Sequence, residues 1–510
     1  MRALISTYDK AGLDTFARGL VDLGWSLVAS GKTAAALEAM GLPVEHVEAI
    51  TDFPEMLGGR VKTLHPRIHA GILVQRDIPE DMSALEEQGI ETFDLVCVNL
   101  YPFAQTVSRP DIRDHEAIEM IDIGGPALLR AAAKNHAHVA AVSSPAQYAP
   151  VLEELKRDGQ LSSETRRELA AETFAATASY EAAISRWFNA PATFPDTLVL
   201  PLEKELELAY GENPHQRGAY YVEHAVRSHL LSRVEQVHGK ALTFNNLNDL
   251  DAARALSREF AQPACVIVKH ANPCGVAVGA NAEEAYDKAL ACDPTSAYGG
   301  VVVFNRRVEE FLGAKLAKQF VEVLFSPGYD DAALEALRQK QGTRILLDTE
   351  RRRADPEARH YKRVRGGMLV QDPDPDREER DSWEVVTGEV DEGHWDELVF
   401  AWRVCKHVTS NAIVLTKGLA TIGIGAGQMS RVDAVRIAVE KAREFGHDTT
   451  GSTLASDAFF PFPDGPQIAL DAGTASIVQP GGSRRDDEVI AAVAQAGAAM
   501  VFTGQRHFRH

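Results

Sequence analysis

The sequence predicts an α/β fold class. Short apolar runs without polar alternation recur along the chain, stretches with apolar residues at helical spacing separate them, and 510 residues exceed what one hydrophobic core usually organises. Unbroken apolar strands between amphipathic helices are the rhythm of a parallel sheet covered on both faces. At about 100–200 residues per domain, the length predicts two to four folded units.

The first apolar run is Ala-Leu-Ile at residues 3–5, and Leu13, Phe16, Leu20 and Leu23 follow at helical spacing, so strand then helix is expected. Residues 25–29 form the next strand. Ser30-Gly31-Lys32-Thr33 then leads into a helix-forming stretch at residues 34–40, stopped by Gly41. Residues 95–98 and 138–142 continue the strand pattern, and residues 126–136 and 164–187 read as helices. Three prolines without helical periodicity across residues 189–201 predict a boundary, dividing the chain into domains 1–196 and 197–510. Beyond it, residues 266–268, 300–304 and 413–415 read as strands among amphipathic helices, in a part large enough for two subdomains. No internal repeat is visible in the sequence. Residues 349–381, with Glu-Arg-Arg-Arg at 350–353 and alternating Asp and Pro at 372–376, read as solvated surface.

Composition excludes several classes. With 45% hydrophobic, 25% charged and 7% aromatic residues the chain is neither disordered nor collagen-like. Lys and Arg total 53 against 73 for Asp and Glu, and the net charge of −20 argues against nucleic acid or a membrane surface as a general partner. An anionic ligand would need a local basic pocket. Five cysteines, Cys97, Cys265, Cys274, Cys292 and Cys405, form no C-x-x-C pair and are too scattered for a disulfide framework, so a reducing, cytoplasmic setting is expected. No apolar stretch reaches the roughly 18 residues of a membrane span, and no export signal is visible.

The motifs are individually ambiguous. Ser30-Gly31-Lys32-Thr33 resembles the end of a P-loop, but Ser26 stands where the first glycine is required, which leaves hydroxyls and a glycine at a helix N-terminus, suited to a phosphate or to plain capping. Gly58-Gly-Arg-Val-Lys-Thr-Leu-His-Pro66 sets Arg60, Lys62 and Thr63 beside paired glycines, a candidate oxyanion pocket. Asn99-Leu-Tyr101 sits at a strand's C-terminal end, where open α/β sheets bind ligands. Asp122 precedes Gly124-Gly125-Pro126 and a helix carrying Lys134; a cap and a surface charge are the plain alternatives. In the second part Lys269 and His270 end an apolar strand before a Pro/Gly turn. A zinc deaminase would show H-x-E and P-C-x-x-C, but Asn272 and Ala277 occupy the Glu and second Cys positions. Gly423-Ile-Gly-Ala-Gly427 lacks the third glycine of a dinucleotide fingerprint, Gln428 standing there.

In this order the strings resemble, nearly end to end, the bifunctional purine-biosynthesis family that combines AICAR transformylase with IMP cyclohydrolase. Gly58 to Pro66, Asn99 to Phe103 and Asp122 to His136 are similar to the cyclohydrolase half. Tyr210-Gly-Glu-Asn-Pro-His-Gln216, Phe244-Asn-Asn-Leu-Asn-Asp249, Lys269 to Gly275, Asp293 to Gly300, Ser410-Asn411, Gly425 to Arg431, Ala455 to Phe462 and Arg506 to His510 are similar to the transformylase half. The resemblance implies an N-terminal methylglyoxal-synthase-like domain and a C-terminal transformylase part of two cytidine-deaminase-like subdomains without zinc. It implies 10-formyltetrahydrofolate as cosubstrate, AICAR, formyl-AICAR and IMP as the other ligands, no catalytic metal, and a homodimer with transformylase sites built from both subunits. It also implies roles. His270 accepts the amine proton, Lys269 polarises the formyl oxygen or protonates the leaving nitrogen, and Asn411 orients them. Lys62, Tyr101, Asp122 and Lys134 serve ring closure, while Ser30, Gly31, Thr33, Arg60 and Thr63 hold the phosphate. Tyr210, His215, Asn246 and Arg506 hold the transformylase nucleotide, and Arg431, Asp457 and Phe459 contact folate. One departure is Ala209, where the family usually carries a phosphate-binding Arg. The competing classes are a zinc nucleoside deaminase and a non-catalytic nucleotide sensor. Missing ligands count against the first, and a second complete set of site strings against the other.

Overall fold

The computed structural model describes residues 1–57, 60–109, 111–190, 193–223, 234–349, 359–374 and 380–510. Gly58 and Gly59, residues 191–192 of the proline-rich stretch, and most of the charged runs at 350–353 and 372–376 therefore lie outside the described residues. The chain forms two compact units, one chiefly Met1–Glu203 and the other running from Lys204 to His510.

In the first unit the strands are β1 (Arg2–Thr7), β2 (Ser26–Ala29), β3 (Val44–His46), β4 (Leu95–Asn99) and β5 (Ala140–Val142). They form one sheet in the order β3-β2-β1-β4-β5, every neighbouring pair parallel. Each of the expected strands is present. The helix Leu13–Asp22 buries Leu13, Phe16 and Leu20 on one face of the sheet, as their spacing requires. The opposite face is covered by the helices Pro66–Leu73 and Gly124–Lys134, through Ile68, Ile72, Leu128 and Leu129. With both faces covered, ligands are left the C-terminal edge of the sheet.

The second unit opens with a two-stranded sheet of β6 (Leu202–Leu208) and β7 (Gly218–Glu223). Next come β8 (Val234–His238), β9 (Ala264–Lys269), β10 (Asn272–Val278), β11 (Val301–Phe304), β12 (Val323–Ser326) and β13 (Arg344–Asp348). A hairpin of β14 (His360–Val364) and β15 (Gly367–Gln371) precedes β16 (Glu384–Thr387), β17 (Ile413–Thr416), β18 (Thr421–Gly425), β19 (Thr453–Ser456), β20 (Ser476–Gln479) and β21 (Ala499–Phe502).

These strands make the same sheet twice. One has the order β10-β9-β11-β12-β13-β8, the other β18-β17-β19-β20-β21-β16. In each, the second strand is antiparallel to the first and third, the third to fifth run parallel, and the last is antiparallel. The sequence showed no repeat, yet the structure contains one, carried by topology and by a few residues rather than by sustained identity. Gly275 and Gly423 hold equivalent places on β10 and β18. A Cβ on either would lie 2.0 Å from a helix carbonyl oxygen, that of Ala289 or Ala438, so both glycines serve close helix–strand packing. Gly425 approaches the Ala434 carbonyl equally closely, while Gly427 takes a φ of 65°, so packing and turn geometry together account for the glycine-rich string at 423–427.

Candidate active sites

In the first unit, Asn99 gathers the C-terminal strand ends. Its Oδ1 accepts from the backbone N–H of Tyr8 at 2.5 Å and of Asp9 at 2.9 Å, and its Nδ2 donates to the Asp9 carbonyl at 2.8 Å. Lys10 is thereby held against the loop after β2. Its ammonium donates to the Thr7 carbonyl and, at 3.2 Å, to Thr33 Oγ1, which itself donates to the Thr7 carbonyl at 3.1 Å. Lys62 Nζ lies 3.4 Å from where a Cβ on Gly31 would stand. Burial lowers the pKa of Lys10, and the nearby charges of Lys62 and Lys32 add to this against Asp9. Thr7 Oγ1 and Ser30 Oγ are buried without a hydrogen-bond partner among the described residues. Three ammonium groups beside the N-terminus of the helix Gly31–Ala39 give this edge the positive charge that a compact anion would need.

Tyr101 and Asp122 stand beside it. The backbone N–H of Asp122 donates at 2.7 Å to the hydroxyl of Tyr180, which donates to the Met120 carbonyl at 2.9 Å. Asp122 Oδ1 accepts from Gly125 N–H at 2.8 Å, and a Cβ on Gly125 would lie 2.3 Å from Oδ2. Burial raises the Asp122 pKa, against the Gly125 hydrogen bond and the charge of Lys62. Burial, then Asp122 and Glu55, raise that of Tyr101. Thr63 is buried. Two candidates stand apart. Arg60 is exposed and ion-paired with Glu119. Lys134 ends the helix that Gly124 begins, about 15 Å along its axis at 1.5 Å per residue, so this chain does not bring it to Asp122.

In the second unit, β9 delivers Lys269 and His270 to a turn in which His270 and Ala271 take φ of 53° and 60°. Such values are unfavourable for residues with a Cβ, and Asp249 holds them by accepting from His270 N–H at 3.3 Å and Ala271 N–H at 2.7 Å. Burial raises the Asp249 pKa. Lys269 Nζ donates to the Tyr298 and Gly299 carbonyls at 3.3 and 2.9 Å. Lys269 and His270 line a cavity of about 240 Å³ together with Asn272, Asp293, Ser296 and Lys441.

Asn272 Oδ1 accepts from Thr409 N–H at 2.9 Å, pinning to this turn the loop that carries Ser410 and Asn411. The Asn411 amide is locked there: it donates to the Gln428 carbonyl at 2.8 Å and accepts from Arg431 at 2.7 Å. Arg431 is also ion-paired with Asp457, whose other oxygen accepts from Ser410. Asp457 is fully buried, so of the three folate candidates Phe459, 38% exposed, is the one presenting surface, while Arg431 and Asp457 brace the loop beneath.

The nucleotide candidates are dispersed. Asn246 is a buried cap, its amide accepting from Thr243 N–H at 3.1 Å and donating to Glu322 at 3.0 Å. Tyr210 accepts through its carbonyl from Phe244 N–H at 3.2 Å, His215 stands exposed on the turn that follows, and Arg506 lies over the Phe508 ring at 4.6 Å. None of the three lines the cavity of Lys269 and His270. Ala209 is exposed. Sequence reasoning missed Lys10, Asn99 as a tie, Asp249 and Asn272. Only Lys10 carried a usable signal, its place just after the first strand. Among the described residues no three His, Cys, Asp or Glu side chains are grouped as metal ligands, and no helix is long and apolar enough to cross a membrane.

Comparison with known proteins bears on both units. Residues 132–441 match the family described as AICARFT/IMPCHase bienzyme, and residues 12–127 match the MGS-like domain. A solved structure titled "Crystal structure of ForH" is 36% identical over 38% of this chain and 98% of that one, with a TM-score of 0.35.

Proposed function

The chain belongs to the AICARFT/IMPCHase bienzyme family, and from that premise we propose that its two activities run at two separate sites, one in each compact unit. The activities themselves are transfer of the formyl group of 10-formyltetrahydrofolate to AICAR, giving formyl-AICAR, and closure of that product to IMP with loss of water. The deaminase and sensor alternatives have no support.

Formyl transfer meets a poor nucleophile, since the AICAR amine shares its lone pair with the imidazole and carboxamide. His270 takes the amine proton as the nitrogen attacks, and Lys269 supplies positive charge at the formyl oxygen and a proton for the departing folate nitrogen. Asn411 acts through position, its amide fixed by Arg431 and Gln428. Phe459 offers an aromatic face to the folate, and Tyr210, His215 and Arg506 contact nucleotide where the homodimer completes the site. Large exposed apolar side chains support that homodimer, Phe311 at 80% and Tyr298 at 66% among them. Five free cysteines support a cytoplasmic setting.

Ring closure uses the first unit. Lys10, Lys62, Ser30 and Thr33 with the helix N-terminus hold the phosphate, joined by Gly31 and Thr63, with Arg60 released from Glu119. The carboxamide nitrogen attacks the formyl carbon, Lys62 stabilises the charge growing on the formyl oxygen, and Asp122 with Tyr101 passes the protons that let water leave. Lys134 has no part that this geometry supports. The observation carrying the reading is the side-by-side delivery of Lys269 and His270 to a cavity by an Asp249-braced turn. Purified protein given AICAR and 10-formyltetrahydrofolate, followed for tetrahydrofolate and IMP, tests it. His270→Ala should lower turnover to tetrahydrofolate by about 10²–10⁴-fold while formyl-AICAR still closes to IMP. Near-normal transfer by a folded His270→Ala chain would contradict the assignment.

A further inference from the structure

The duplicated sheet supplies an internal comparison for Lys269. By strand register, Lys417, Gly418 and Leu419 of the second copy correspond to Lys269, His270 and Ala271. The turns match: Gly418 and Leu419 also take positive φ, 65° and 56°, and Glu397 accepts from Leu419 N–H at 2.9 Å as Asp249 does from Ala271. The surroundings of the two ammonium groups differ. Lys417 donates to the Thr450 carbonyl at 2.8 Å, the place equivalent to Tyr298, but it is also ion-paired with the Asp448 carboxylate at 2.8 Å. Among the described residues Lys269 donates only to the carbonyls of Tyr298 and Gly299.

The acid that lines the cavity with Lys269 is Asp293, and it is engaged elsewhere. Its Oδ1 accepts from Ser296 N–H at 2.9 Å, and its Oδ2 accepts from Ser296 Oγ at 2.7 Å and faces Lys441 Nζ at 3.4 Å. Lys441 comes from the second subdomain, on the helix Arg431–Glu444, and lines the same cavity. Asp293 caps the short helix Pro294–Ala297, and the next two residues are Tyr298 and Gly299, whose carbonyls grip Lys269. A continuous chain of contacts therefore joins Lys441 to the Lys269 ammonium through Asp293 and this one turn.

We propose that Lys441 is a positioning residue for formyl transfer: by holding Asp293 it fixes the 293–299 segment whose carbonyls grip Lys269. In the second copy an acid at the place of Ser296, Asp448, pairs with the lysine directly, and Gly418 stands where His270 does. The inference rests on the proposed role of Lys269, so the test separates the two. In the full-length protein, Lys441→Met should lower kcat for formyl transfer by about 10²-fold or somewhat less, the cost of a small misplacement. KM for AICAR should stay within about twofold and closure of formyl-AICAR should be unchanged, because this is not a binding contact. Lys441→Arg should recover most of the rate. Asp293→Asn, which keeps an acceptor for Ser296 but drops the charge, should be slow, and the double variant no slower than the worse single one. Wild-type kcat in folded Lys441→Met, or Lys441→Arg as slow as Met, would overturn the proposal. Should Lys441→Met fail to fold, Asp293→Asn alone decides, with kcat at wild-type level the overturning result. Lys269→Met is the control: if it transfers formyl normally, the role of Lys269 fails, whereas a dead Lys269→Met beside a fully active Lys441→Met sinks only the inference.

Discussion

Lys10 shows how much of the first site turns on one side chain. It contributes a half-buried ammonium beside those of Lys62 and Lys32, and partial burial with like-charge crowding lowers its pKa. An incoming phosphate relieves that repulsion. Lys10→Met should therefore raise KM for formyl-AICAR by about 10–100-fold, the worth of one charge-assisted hydrogen bond, with kcat little changed. A fall in kcat at constant KM would place Lys10 in the chemistry instead.

Asp122 makes the opposite case, a charge kept at a cost. Its folded pKa is raised, chiefly by burial, so its contribution to stability is fully present below the ordinary Asp value and is lost as pH rises through the folded one. Asn at this position keeps an acceptor for Gly125 N–H without the buried charge. Asp122→Asn should thus melt at or above the wild-type temperature at pH 8, the difference shrinking toward acid, while ring closure is lost. Thermal melts across pH check the sign: a variant less stable at pH 8 than at pH 4, relative to wild type, would contradict it.

At the scale of elements, the strands were legible because burial on both faces leaves an unbroken apolar run, as at Leu95–Asn99 and Ala264–Lys269. The helix Leu13–Asp22 was legible from its apolar spacing. The turn joining β9 to β10 was not: nothing local in Lys-His-Ala-Asn announces two left-handed residues, since the groups that stabilise them come from Asp249, some twenty positions away. The repeat was hidden for a related reason. Sheet topology is set by burial pattern, which many sequences satisfy, and few residues recur in both copies, among them the Lys, an acid on the preceding helix, the close-approach glycine and the left-handed glycines Gly299 and Gly451. The capping role of Asn246 was not legible, because a capping side chain and a ligand-binding one use the same amide.

The duplicated turn offers a matched pair of variants. Asp249→Ala and Glu397→Ala each strip an acceptor from a left-handed turn, and each should cost about 1–3 kcal/mol for the orphaned N–H groups. Only Asp249→Ala should also slow formyl transfer, by about 10-fold or more, because only its turn presents a histidine. Equal activity losses would mean that the first turn is no more than structural.

For the whole molecule, the length, the two sets of strings and the proline-rich stretch pointed to two working parts, and the chain forms two compact units. The sheet of the first is covered on both faces by its own helices, the long helix Ser163–Asn189 among them. Residues 1–196 alone should therefore fold cooperatively and close formyl-AICAR to IMP at a rate within about threefold of the full chain, as expected of an autonomous domain. An insoluble or inactive fragment would show that the first unit depends on the second.

The central claim is that one chain carries two chemistries at sites that do not share catalytic groups. The most direct measurement is to assay both half-reactions on two full-length variants, Lys62→Ala and His270→Ala. Lys62→Ala should lose ring closure and keep formyl transfer, and His270→Ala should show the reverse, each by about 10²-fold or more in the affected reaction and less than about threefold in the other. If either variant loses both activities in parallel while still folded, the sites are not separate and the account is contradicted.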